Sequence, residues 1–161
     1  PYGISKRTAE AYGMYYHKKF KIDLTILRFF NIYGPNQCQG YVIPDLINKI
    51  SHSDNEVELL GSKDDSRDFL WIEDLVEAIK KTIQICPSGE IINIGGGKEV
   101  KIYNVASEIS KLLKKNIKFN YPDIDTFKPS RVFADINKAK DILGWEPKTS
   151  IFEGLKSLIN D

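Results

Sequence analysis

The spacing of apolar residues changes period repeatedly along the chain, and each change predicts an element. From Ser5 to about Lys21 good helix formers carry apolar side chains at Ala11, Tyr12, Tyr15, Tyr16 and Phe20, with Ile4 just before them. The spread is wider than one stripe and predicts a helix that buries two faces. Leu24 to Ile32 is a compact β-branched and aromatic run closed by Gly34-Pro35, the pattern of a buried strand feeding a functional loop. VIPDLINKI predicts a short helix after Pro44, VELLG a short strand stopped by Gly61, and RDFLWI another strand. Ile72, Leu75, Val76, Ile79 and Ile83 recur as on one helical face, with Glu73 and Asp74 in the first turn where the helix dipole favours acids. EIINIG and IKFNY read as strands, Ile102 to Leu113 and Ile136 to Leu143 as helices, the latter stopped by Gly144. Ser150-x-x-Glu153 is a capping box opening a last helix through Ile151, Phe152, Leu155, Leu158 and Ile159. Strands and helices alternate without repeats or low-complexity linkers, so the fold class is α/β.

Composition narrows the partners. A chain of 161 residues with 42% hydrophobic content supplies the core of one domain, or of the larger half of something bigger. Lys and Arg number 23 against 22 Asp and Glu, a net charge of +1. No single-sign field therefore advertises nucleic acid or an anionic membrane, and a small anionic ligand would depend on individual Arg or Lys residues. Cys38 and Cys86 stand far apart, outside any CxxC spacing and with only two histidines in the chain, which predicts reduced structural cysteines and no metal. No apolar run reaches membrane-spanning length and no signal peptide is visible, so the expected location is cytoplasmic.

Tyr2 and Lys6 carry the chemistry. Four residues apart at a helix start, they share a face, and an ammonium beside a phenol favours the phenolate, making a general base for neutral pH. The run Gly95-Gly96-Gly97 follows a strand, yet it lacks GxGxxG, a GK[ST] ending and a placed acid, and is expected to be a turn. His17 and His52 have no Ser, Cys or Asp at a recognisable spacing, so a hydrolase triad is unsupported.

PYGISK, LRFFNIYGP, RDFLWIEDL, NIGGG, ADINKAKDILGWEP and EGL, in this order, resemble the extended short-chain dehydrogenases/reductases, the NAD-dependent nucleotide-sugar epimerases and dehydratases. The resemblance spans essentially the whole chain. It implies the C-terminal portion of an NAD(P)-binding Rossmann-like fold with a small α/β substrate domain: 1–35 ending the Rossmann-like domain, 36–161 mostly substrate domain, and about 66–95 returning to the former. It implies that Tyr2 takes the proton of a sugar hydroxyl while hydride passes to NAD, and that Lys6 bonds the nicotinamide ribose. Phe30 would lie beside the nicotinamide with its backbone, and Asn31 would bond the substrate near its diphosphate. Arg67 and Arg131 would grip the diphosphate, and Ile43 and Leu60 are candidate contacts of the sugar and the base. Arg28, inside the apolar run, is left out of the site and expected to pair with an acid such as Asp68 or Asp74.

The family's dinucleotide fingerprint and its Ser or Thr partner of Tyr2 are not found in this chain, which also lacks an initial Met, so the chain is expected to be the C-terminal half of a longer enzyme and inactive alone. The expected activity of that enzyme is nucleotide-sugar 4-epimerisation, with UDP-glucose and UDP-galactose or their N-acetyl forms as substrates. A 4,6-dehydratase is the alternative, followed by a decarboxylase or reductase and by a non-catalytic nucleotide-sugar-binding relative. The first helix, over Ser5 to Lys21, resembles the family's dimer surface and implies a homodimer.

Overall fold

Tyr2–Phe20 forms α1, which ends at Lys21 in the left-handed conformation (φ 56°) with His17, Lys18 and Lys19 complementing the dipole of its last turn. The computed structural model describes residues 1–122 and 129–160. Two buried faces were expected on α1, but none of its residues is buried. It leans on β1 (Thr25–Phe29) and the residue before it, where the bare Gly13 lets helix and strand approach: a Cβ there would stand 3.0 Å from Leu24 Cδ2 and 3.9 Å from Ile26 Cδ1. The same contact corrects the expectation for Arg28. Its guanidinium meets Glu10 on α1, Nε donating to Oε1 at 2.7 Å and Nη2 to Oε2 at 2.6 Å, because alternation along β1 turns it toward the helix and away from Asp68 and Asp74.

The run from Leu24 to Ile32 is two strands rather than one, because the chain changes partners. β1 pairs in parallel with Glu90–Ile94 (β6 in chain order), from Thr25 opposite Glu90 to Phe29 opposite Ile94. Phe30 N still donates to Ile94 O, but the next carbonyl, Asn31 O, accepts from Leu70 N. The chain continues as β2 (Ile32–Tyr33), parallel to Leu70–Trp71, which is β5. RDFLWI divides for the same reason. Its first part, β4 (Ser66–Arg67), runs antiparallel to β7 (Val100–Lys101), and the crossover to β5 falls at Asp68-Phe69.

α2 (Val42–Ser51) starts two residues before Pro44, which the first turn tolerates because an N–H there has no intrahelical acceptor. β3 (Glu56–Glu58) pairs in parallel with β8 (Lys118–Asn120). α3 (Ile72–Ile85), α4 (Ile102–Leu112) and α5 (Asn137–Leu143) follow the apolar periodicity, and Gly144 closes α5 at φ 55°. The capping box on α6 (Ile151–Asn160) forms as expected: Ser150 N donates to Glu153 Oε2 at 2.9 Å and Glu153 N to Ser150 Oγ at 3.3 Å. No helix among the described residues is long and apolar enough to cross a membrane.

Two hydrophobic clusters form the core. One gathers Tyr33, Ile43, Trp71, Val105, Ile109 and Leu155 between α2, α4 and α6. The other gathers Leu75, Ile92, Ile94, Leu143 and Trp145 between α3, α5 and β6, and Ile72 packs against both. Asp74 fastens the second cluster to the C-terminal segment, its carbonyl accepting from Trp145 Nε1 at 3.1 Å and its carboxylate from Thr149 N at 2.9 Å. Ile92 has no exposed surface, so Ile92→Val is expected to lower stability by about 0.5–1.5 kcal/mol in a urea titration.

Candidate active site

A groove of about 970 Å³ opens where β1 hands over to β2, and the start of α1, the 34–41 loop, the first turn of α2 and the β4–β5 crossover border it. Tyr2, Phe30, Asn31 and Ile43, four of the residues singled out in the sequence, line it together with Phe69 and Val132. Tyr2 is 76% exposed, and Lys6 Nζ stands 5.5 Å from the centroid of its ring, so the phenol and the ammonium share one face of the helix, although Lys6 is not among the described residues that line the groove. Lys6 has no carboxylate partner among the described residues, leaving its donors for a ligand.

Asp68, one of the acids expected to pair with Arg28, instead sits behind the groove, next to the lining residues Phe69 and Asn31. Fully buried, its carboxylate accepts from Gly96 N (2.5 Å), Gly97 N (3.0 Å) and Ala134 N (2.8 Å). Burial pushes this carboxyl above the usual aspartate value, and the three backbone N–H bonds partly hold it down. The triple-glycine run is thus a turn, as expected, but one whose amides cradle an internal anion. A side chain at Gly96 would run into Phe69 O, which explains a bare backbone there. The available signal was an acid inside an apolar strand pattern in the same chain as a glycine run; their spatial meeting was not readable.

The backbone carbonyl of Asp68 also accepts from Asn31 Nδ2 at 2.8 Å, which fixes the Asn31 amide. Asn31 is exposed, not buried, and its oxygen has no partner among the described residues. In the following loop Gln37 Nε2 donates to Ile32 O at 2.9 Å, and Gly40 N donates to Asp45 Oδ1 at 2.8 Å, tying the loop to α2. Cys38 lines the groove and Cys86 caps α3; both are exposed, so neither is the packed structural cysteine expected.

Leu60, Arg67 and Arg131 are not among the described residues lining the groove. Alternation in VELLG buries Val57 and Leu59 and turns Leu60 outward, 72% exposed. Arg67 Nη1 donates to Ser66 O and Ser130 O, each at 2.8 Å. Arg131 forks onto Glu99, with Nε to Oε1 at 2.6 Å and Nη2 to Oε2 at 2.7 Å. Ser66, the bridge partner of Arg131, also donates to Glu99, so these two share one side of the ladder and Arg67, next along, faces the other. Arg131, then the Ser66 hydroxyl, hold the Glu99 carboxyl down to about 2. A carbon NMR titration is expected to find that midpoint and to see it rise in Arg131→Ala. Because the folded value lies below the ordinary 4.5, the pair's stabilisation is present above that pH and disappears as pH falls toward 2. Being at the surface, it is small and weakened by salt.

This architecture, parallel strand pairs beneath helices with a tyrosine at a groove and a lysine beside it, is that of the C-terminal portion of an extended short-chain dehydrogenase/reductase. The family described as GDP-mannose 4,6 dehydratase matches residues 1–158, and the chain belongs to it. Its relatives include the UDP-glucuronate 4-epimerase of Thermodesulfobacterium geofontis, 33% identical over 99% of this chain and 49% of that protein. The human dTDP-D-glucose 4,6-dehydratase is also 33% identical, over 99% of this chain and 47% of that protein. Among solved structures, the UDP-glucuronic acid 4-epimerase from Bacillus cereus in complex with UDP-glucuronic acid and NAD superposes with a TM-score of 0.88 at 31% identity, covering 99% of this chain and 51% of that one. The chain spans about half the length of these proteins.

Proposed function

We propose that this chain carries the acid/base helix and the substrate-binding half of an NAD-dependent nucleotide-sugar 4-epimerase. The observation that carries this reading is the meeting of Tyr2 and Asn31 at one groove with Lys6 beside the Tyr2 ring, supported by relatives named as epimerases. The residues present fit a nicotinamide dinucleotide: Lys6 offers unpaired ammonium donors for ribose hydroxyls, and Phe30 presents backbone at the end of a parallel strand. NAD, when bound, supplies the hydride acceptor and donor. Tyr2, as the phenolate that Lys6 stabilises, accepts the proton of the sugar C4 hydroxyl, holds it as the neutral phenol while the 4-keto sugar turns over, and then returns it. Asn31 orients the substrate. Arg67 and Arg131 serve its diphosphate, Arg131 through the guanidinium edge that Glu99 leaves open, and Ile43 and Leu60 are contacts of the sugar and the base. Residues 1–35 and about 66–95 belong, on this reading, to the Rossmann-like domain, consistent with the two parallel pairs β1·β6 and β2·β5.

Incubating the full-length enzyme with a series of nucleotide sugars and identifying the products by NMR tests this reading. A C4 epimer supports it. A 4-keto-6-deoxy product would replace it with the 4,6-dehydratase reading, which the similarity to the human dehydratase favours.

The homodimer belongs to the same proposal. Ile4, Ala11, Tyr12 and Tyr15 form an open apolar depression on the outer face of α1, suited to a second copy of that helix. Light scattering of the full-length protein at micromolar concentration is expected to give twice the monomer mass.

A further inference from the structure

Building on the nucleotide-sugar reading, the groove has a chemical preference of its own. None of the described residues lining it carries a formal charge at neutral pH. Its floor includes the buried Tyr33, whose phenol burial keeps protonated and whose hydroxyl donates to Ile151 O at 3.3 Å. Of its three amides, Asn31, Asn36 and Gln37, two are oriented by bonds from their nitrogens, Asn31 Nδ2 to Asp68 O and Gln37 Nε2 to Ile32 O. The oxygens of these two oriented amides are left without a partner among the described residues, so the polar atoms on offer include two fixed carbonyl lone-pair sites.

Lone pairs in a largely apolar groove need donors. A sugar hydroxyl supplies one and stays neutral. A carboxylate supplies none, meets the same oxygens as a repulsion, and loses its water without gaining a cation from the described lining residues. We propose that this groove selects a nucleotide sugar that is neutral beyond the anomeric diphosphate, a hexose or N-acetylhexosamine rather than a hexuronate, with Gln37 as the specificity-determining residue of the 34–41 loop. The protein would then differ in substrate from those relatives whose names specify UDP-glucuronate.

The test measures binding by calorimetry and kcat/KM for UDP-glucose and UDP-glucuronate with the full-length, NAD-loaded protein, and repeats both with Gln37→Lys, using UDP affinity as the check of an intact site. The expected result is a preference for UDP-glucose of at least about tenfold, which the lysine variant narrows by a similar factor. UDP-glucuronate used as well as or better than UDP-glucose would overturn the proposal. So would an unchanged ratio in Gln37→Lys with UDP affinity intact, and if that variant fails to fold the wild-type ratio decides alone. Failure of UDP-glucose, UDP-glucuronate and dTDP-glucose all to bind would instead remove the nucleotide-sugar reading beneath it.

Discussion

Tyr2→Phe in the full-length enzyme is expected to lower turnover by about 10²–10⁴-fold while leaving nucleotide-sugar affinity within a few-fold of wild type. The substitution removes one oxygen from a side chain that is 76% exposed, so little packing is lost and the effect isolates proton transfer. Lys6→Ala should also lower turnover and, on the proposed reading in which its ammonium serves the ribose as well as the phenol ring 5.5 Å away, additionally weaken NAD affinity. Product formation by NMR and calorimetric titration with NAD and nucleotide sugar separate these effects. Near-normal turnover by Tyr2→Phe would remove Tyr2 from the mechanism.

Asp68→Ala is expected to cost stability on the order of 3–6 kcal/mol, enough to unfold a marginal domain, as measured by chemical denaturation. The reason is arithmetic of unsatisfied donors: Gly96 N, Gly97 N and Ala134 N lose their acceptor in a site closed to water, at about 1–3 kcal/mol each. Asp68→Asn keeps one acceptor oxygen and should lose much less. The pH dependence has a definite sign. The folded value is raised, so the native state binds the proton more readily than the unfolded chain, and this group's contribution is most favourable at acid pH and diminishes as pH rises through the raised value. Asp68→Asn should lack that slope.

The period of the apolar pattern revealed α3, α4, α5 and α6 nearly to the residue, since each has a single buried face that the rest of the chain covers. It overestimated α1, because an apolar face records a surface to be covered and does not say by what. It fused β1 with β2 and β4 with β5, because a strand that changes partners keeps its side-chain alternation while its hydrogen bonds move to another neighbour. Arg28 was misassigned for a related reason: among candidate acids, only the packing of α1 on β1 picks out Glu10.

By itself the sequence determined the α/β class, the family, and the Tyr2–Lys6 pair, whose proximity follows from helical geometry over four residues. Everything that depends on long-range pairing was decided by tertiary structure: the cradle that Gly96, Gly97 and Ala134 make for Asp68, the Arg131–Glu99 fork, and the orientation of the Asn31 and Gln37 amides. Helical spacing is a property of the local chain, whereas each of those contacts, save the short-range Gln37 bond, joins residues separated by a reversal of the backbone, and the Gln37 amide is fixed only once its loop is placed.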